Sequence, residues 1–185
     1  SEMCIRDSLY TDLFCAADDF MIKELLPRRV PRDHIAVTGI PVRVGFDEEH
    51  DTVAIRERFS LPQDKMIALV MAGAKYSEPY FPFRRIVEPM FGELSNFLDM
   101  HFVFLAGEDY TYAEHLKQVF KERGITNVSV FNYVEDMVDL MSASDLIVAK
   151  SGGLAVTECI CARLPLILVG KSYGQERANT YTVTR

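Results

Sequence analysis

Apolar residues along the chain fall into short unbroken runs separated by longer amphipathic stretches. The runs are 67–72, 102–106, 128–131, 146–149 and 166–169. Each is continuous rather than alternating, the pattern of strands buried on both faces of a parallel sheet. The stretches between them repeat at helical spacing. Tyr112, Leu116, Val119 and Phe120 form one apolar stripe, with Thr111 and Glu114 spaced as a capping box and Gly124 placed as a C′ glycine. A second helix is expected over 135–142, with Met137, Val138, Leu140 and Met141 on its apolar side. A third runs from Gly153 to about residue 163 and is stopped by Pro165. The stretch 83–98 is helical in pattern but contains Pro89, so it should kink or break. Strands and helices in alternation imply right-handed βαβ crossovers and a doubly wound α/β fold with a Rossmann-like parallel sheet.

The first 51 residues follow a different pattern. Residues 13–16 and 35–37 suit short strands and 19–26 a short helix, with Asp18-Asp19 at its N-cap. An acidic, polar stretch follows over 45–51. Residues 1–51 are therefore expected to be the end of a preceding domain and a linker, with a compact α/β unit over 52–185. Residues 1–8 have no usable periodicity and read as foreign to the gene. The last residues, 179–185, end inside what should be the next element. Together the two ends suggest a piece of a longer protein.

Composition narrows the class. The chain has 185 residues, about one domain's worth. Its 49% hydrophobic and 25% charged residues match a folded globular domain and exclude disorder and coiled coil. A formal net charge of −7 leaves no electrostatic footprint for nucleic acid. The basic cluster Arg28, Arg29 and Arg32 reads as a solvated turn. Cys4, Cys15, Cys159 and Cys161 do not have zinc-ligand spacing and are expected to be small buried hydrophobes in a reducing compartment. No apolar run nears the ~20 residues of a membrane span, and no secretion signal is evident. A cytoplasmic location follows as the expectation.

Candidate chemistry concentrates in Ala149-Lys150-Ser151-Gly152-Gly153-Leu154-Ala155-Val156-Thr157-Glu158. A strand ends, two glycines follow and a helix begins. Open α/β sheets bind ligands beyond the carboxyl ends of their strands, and a helix N-terminus suits a phosphate. The turn is neither a Walker loop nor G-x-G-x-x-G. Tight packing of a helix on a sheet also selects small residues, so the glycines alone do not decide. Glu158 stands in a helix otherwise rich in Ala, Val, Cys and Ile. It suits an acceptor for two vicinal sugar hydroxyls; a solvent-facing residue near a helix start is the alternative. Gly174-Gln175-Glu176-Arg177-Ala178-Asn179 offers polar side chains able to read further hydroxyls. Diphosphate, ribose and hexose in one crevice describe a nucleotide sugar.

These segments resemble the C-terminal, donor-binding half of GT-B glycosyltransferases of family 28 type. The likeness is to monogalactosyldiacylglycerol synthase and processive diacylglycerol glucosyltransferase, with the UDP-N-acetylglucosamine transferase of lipid II synthesis more distant. The resemblance rests on Val37-Thr38-Gly39-Ile40-Pro41-Val42, Val70-Met71-Ala72-Gly73-Ala74, Ala106-Gly107, Tyr133-Val134-Glu135-Asp136-Met137 and Ser144 to Gly153, with Thr157-Glu158 and Gly174 to Asn179. It implies that amides at Ser151, Gly152 and Gly153 hold the diphosphate and that Glu158 takes the ribose. Gln175, Glu176 and Asn179 would hold the hexose, the Val134 backbone would read uracil under Tyr133, and Gly73 would lie near the phosphates or acceptor. It further implies an inverting enzyme that transfers hexose from a UDP-sugar to a lipid acceptor such as diacylglycerol at the membrane surface. Two positions depart from the family. Ala155 stands where many members have Thr or Ser, and Ala74-Lys75-Tyr76-Ser77 lacks an extra glycine.

With no Asp-x-Asp motif, neither a catalytic metal nor a cofactor is expected, the UDP-sugar being a co-substrate. His34, His50, His101 and His115, expected at strand edges, the linker or helix surfaces, are not assigned as general base, which should come from the other domain. The alternatives are a UDP-sugar 2-epimerase-like enzyme and a non-catalytic nucleotide-sugar-binding subunit.

Overall fold

A computed structural model describes residues 11–72, 81–170 and 180. Two parallel sheets are present among them. The small one pairs β1 (Phe14–Ala16) with β2 (Ile35–Val37), with α1 (Asp19–Leu25) between. Asp18 caps α1 by accepting from the Met21 amide at 3.1 Å, as the sequence predicts. Ala16, Leu25 and Ile35 form its small core.

The larger sheet has five parallel strands in the order β5-β4-β3-β6-β7: β3 (Met66–Met71), β4 (Met100–Leu105), β5 (Val128–Phe131), β6 (Leu146–Ala149) and β7 (Leu166–Leu168). Five helices accompany them: α2 (Thr52–Arg58), α3 (Phe81–Val87), α4 (Tyr110–Glu122), α5 (Met137–Ser142) and α6 (Gly153–Cys161). The pleat divides the core. Ala68, Val70, Ala72, Phe102 and Phe104 face Phe83, Phe91, Leu116 and Phe120 on one side. Ile67, Leu69, Val103, Leu105 and Ile147 face Met137, Leu140, Met141 and Cys159 on the other. On the first side Phe91, Phe104 and Phe120 lie with ring centroids 4.8–5.4 Å apart. Central strands β3 and β4 are almost wholly buried. The edge strands β5 and β7 are only partly so, because one side of each lacks a neighbour.

Some local expectations change. The predicted break at Pro89 is real: α3 stops at Val87 and a 3₁₀ segment, Glu88–Asn96, continues. The Thr111–Glu114 capping box does not form. Asp109 caps α4 instead, its carboxylate accepting from the Tyr112 amide at 3.0 Å, so the helix starts one residue before Thr111. Gly124 closes α4 with φ +65°, a conformation that costs glycine little. The helix expected from residue 135 begins at Met137. Cys159 is buried, but Cys15 and Cys161 are exposed rather than core residues, because Cys161 lies on the outer face of the last turn of α6.

The strand order reverses direction between β3 and β6. The two crossovers leave that point in opposite senses, and the carboxyl ends of strands at such a switch point are where open α/β sheets bind ligands. The register puts the carboxyl ends level: Met71 lies beside Leu105, Leu105 beside Phe131, Val70 beside Val148 and Ala149 beside Leu168. The turn from β6 into α6 therefore sits at the switch point of the sheet.

Candidate functional site

Lys150, Ser151 and Gly152 carry the chain from β6 into α6. Gly152 is the N-cap, extended at φ −68° and ψ 135°, with no side-chain cap. The first intrahelical bond runs from the Val156 amide to the Gly152 carbonyl at 3.0 Å. The amides of Gly153, Leu154 and Ala155 precede it and have no acceptor within the helix. The Gly152 amide is different: it donates to the Lys150 carbonyl at 2.8 Å. Of the three amides expected to face a diphosphate, this one is thus engaged inside the turn. Its φ is one that any residue adopts, and a Cβ built at Gly152 meets no atom of the described residues within 4 Å. Neither backbone strain nor packing by the described residues explains a glycine here. It leaves open space directly over a helix start, where the dipole favours an anion.

Glu158 lies in the second turn of the same helix and is 2% exposed. The solvent-facing alternative is therefore wrong. Its Oε1 accepts from Nη1 of Arg43, a residue 115 positions earlier on the segment joining β2 to α2. Burying a carboxylate without a partner is costly, and Arg43 is the cation supplied. The same arginine lines a depression of about 360 Å³ with Val44 and residues Glu135 to Asp139. It thereby brings the start of α5 and the middle of α6 to one place. The neighbouring Cys159 thiol is pushed up to about 12, by burial first and then by the charge of Glu158, so it is a thiol without reactivity at neutral pH.

The β5–α5 loop supplies the other wall. Tyr133 is 56% exposed, while Val134 is half-buried against the core on the α5 side. The exposed ring and the anchored backbone beside it suit a flat ligand. The segment bearing Arg43 is fastened to α5: His50 Nε2 lies 2.9 Å from the Gly45 carbonyl and its Nδ1 3.2 Å from Asp139 Oδ1. Arg58 bonds the other oxygen of Asp139 at 2.6 Å. Gly45 has φ +112°, so the turn needs glycine.

A second brace stands at the ends of β3 and β4. Arg84, 7% exposed, donates through Nε to the Ala72 carbonyl at 3.1 Å and through Nη1 to Asp109 Oδ2 at 2.9 Å, and lies over the Tyr112 ring. Burial and the charge of Glu88 push the Tyr112 phenol upward, so it stays protonated.

Ser151, Gly152, Gly153 and Glu158 thus share one turn and helix, and Tyr133 and Val134 lie at the end of β5. Gly73, Gln175, Glu176 and Asn179 lie outside the described residues. Arg43 was not expected. Its only sequence signal is its place directly after Pro41-Val42, together with the need of an apolar helix for a cation near Glu158. Arg84 carries no comparable signal. His101 lies at the start of β4, as expected, and is buried there, with Nε2 2.8 Å from Ser129 Oγ. Among the described residues no group of His, Cys, Asp or Glu is arranged to hold a metal ion, and no helix is long and apolar enough to cross a membrane.

Comparison with known proteins identifies the family and the fold. Two curated relatives are named processive diacylglycerol beta-glucosyltransferase. That of Bacillus licheniformis is 28% identical over 170 residues, covering 92% of this chain and 43% of the relative. That of Staphylococcus carnosus is 30% identical over 153 residues, covering 82% and 37%. The chain spans less than half the length of these relatives. Among solved structures, the UDP-GlcNAc 2-epimerase of Neisseria meningitidis bound to UDP-GlcNAc has a TM-score of 0.64 at 16% identity, covering 92% of this chain and 46% of that one. MurG of Acinetobacter baumannii has a TM-score of 0.58 at 17% identity, covering 92% and 48%. At these identities the likeness is one of fold. Residues 69–181 match the glycosyltransferase family 28 C-terminal domain, and the chain belongs to that family.

Proposed function

We propose that this chain is the donor-binding part of an inverting glycosyltransferase that moves a hexose from a UDP-sugar to a lipid acceptor such as diacylglycerol. The observation that carries the reading is the space at Gly152 left open by the described residues, over the uncapped start of α6 and six residues before a buried carboxylate. Family membership and the names of the relatives support a transferase over an epimerase, whose likeness to this chain is of fold alone.

Displacement at the anomeric carbon requires a stabilised leaving group, a deprotonated acceptor and an in-line approach. Amides of Ser151 and Gly153, extended by Leu154 and Ala155, take up the charge growing on the departing diphosphate. Such dipoles are oriented before the reaction and need no reorganisation during it. The role anticipated for the Gly152 amide passes to these neighbours, and Gly152 contributes space instead. Glu158 accepts from the ribose hydroxyls. The Val134 backbone reads uracil and Tyr133 covers its face. Gly73 approaches the phosphates, while Gln175, Glu176 and Asn179 hold the hexose. No cofactor or metal takes part. The general base comes from a domain outside this chain, which also carries the contact with the cytoplasmic face of the membrane.

Isothermal titration with UDP tests the donor site: saturable binding to the folded chain is expected, and no heat of binding contradicts the reading. Incubating a full-length version with UDP-glucose or UDP-galactose and diacylglycerol tests the chemistry. Glycolipid supports transfer, whereas an altered free UDP-sugar points to epimerisation.

A further inference from the structure

The ion pair between Glu158 and Arg43 joins α6 to the segment between β2 and α2, whose Phe46 packs against the same core as Cys159. Glu158 sits on a rigid helix, with a side chain 3% exposed. Arg43 sits on the connecting segment, 42% exposed. Solvent reaches the arginine and scarcely reaches the carboxylate, so the guanidinium lies on the outer side of the pair. The segment is held in turn by His50, Asp139 and Arg58, two residues beyond Arg43 at Gly45. The arginine is therefore mounted on an anchored turn.

We propose that Arg43 is a positioning residue for the sugar-nucleotide site, acting through Glu158. This rests on the reading of Glu158 as acceptor for the ribose hydroxyls. A carboxylate offers about four acceptor positions over two oxygens. Arg43 occupies one of them on Oε1, supplies the counter-charge and fixes the side-chain rotamer. The remaining positions are presented in a defined direction to two neighbouring hydroxyls. Without the arginine, a buried carboxylate with no counter-charge turns away or draws in water. The strength of the ribose contact then becomes a property of the connecting segment as well as of the sheet. A shift of that segment is felt at Glu158 with no change at the phosphate cradle.

The test compares UDP with 2′,3′-dideoxyuridine 5′-diphosphate by isothermal titration on the full 185-residue chain. The wild type should prefer UDP. Arg43→Ala should weaken UDP roughly tenfold and leave the dideoxy compound unchanged. Arg43→Lys should recover part of that loss. In a Glu158→Gln background, Arg43→Ala should add nothing further. Circular dichroism checks each variant for folding, and Arg43→Lys carries the test if alanine unfolds the chain. Equal weakening of both ligands overturns the inference, because a general structural defect or a phosphate contact acts on both. Unchanged or tighter UDP binding in Arg43→Ala also overturns it. Failure of the underlying reading looks different: the wild type would then not bind UDP, or would bind both ligands alike, and Glu158→Gln would have no effect.

Discussion

The two ends of the five-stranded sheet are built from similar residues and arranged in opposite ways. At the amino end every prominent polar side chain closes on the protein itself. Asp145 Oδ2 accepts from the Ile67 amide at 2.7 Å and from Arg56 Nη2 at 3.0 Å. Arg56 also donates through Nε to the Ala143 carbonyl. Asn127 Nδ2 reaches the carbonyls of Leu94, Phe97 and Met100 at 2.8, 3.2 and 3.2 Å, and His101 pairs with Ser129. At the carboxyl end, α6 starts without a side-chain cap, Gly152 faces open space, Tyr133 is exposed and Glu158 rests on one arginine from a distant segment. Polar groups that satisfy one another stabilise the fold; an uncapped helix start and an exposed ring are available to a ligand. The contrast separates stability from binding within one sheet.

Substitutions should divide along the same line. The largest effect belongs to Asn127→Ala, which removes the donor to three carbonyls. We expect a loss of ~2–3 kcal/mol in urea unfolding, with UDP affinity of the folded protein unchanged. Glu158→Ala should do the reverse, weakening UDP by ~1.5–3 kcal/mol in titration calorimetry and lowering stability less than the Asn127 variant does. Arg43 remains hydrated in that variant, so no buried charge is left alone. Gly152→Val places a side chain in the open space at an ordinary φ. It should leave unfolding within about 1 kcal/mol of wild type and weaken UDP about tenfold, or 1.4 kcal/mol. Loss of stability without loss of binding in this variant would erase the contrast.

The smallest effect concerns pH. Burial, and then Lys65, hold His101 below its ordinary value of 6.5. The unfolded chain therefore binds more protons than the folded one as pH drops below 6.5, and stability falls in that range. The urea midpoint should decline modestly between pH 7 and 5.5, and His101→Gln should flatten that decline. UDP binding to the folded fraction should not follow it.

Much of the fold is legible in the sequence because the strands are largely apolar, most continuously so in the buried β3, and Pro89 breaks its helix for a local, covalent reason. The start of α4 is ambiguous in the sequence because two capping signals lie two residues apart, and only the geometry shows that Asp109 rather than Thr111 reaches the free amide. Glu158 stands out as a carboxylate in an apolar helix, so its importance can be read directly. Its partner cannot, since a contact over 115 residues leaves no local pattern. The same holds for the Arg84–Asp109 brace. Likewise, the paired glycines announce a turn, but only coordinates separate an amide used within it from the space left beside it.

The central claim is that the β6–α6 turn and Glu158 hold a uridine diphosphate at the carboxyl end of the sheet. Amide-resolved NMR of the ¹⁵N-labelled chain during titration with UDP tests it most directly. The account predicts saturable shifts at Ser151, Gly153, Leu154, Ala155 and Glu158, with Tyr133 and Val134 moving on the same curve, and none at Asn127, His101 or Asp145. Shifts confined to the amino end, or a spectrum unchanged by millimolar UDP, would contradict it.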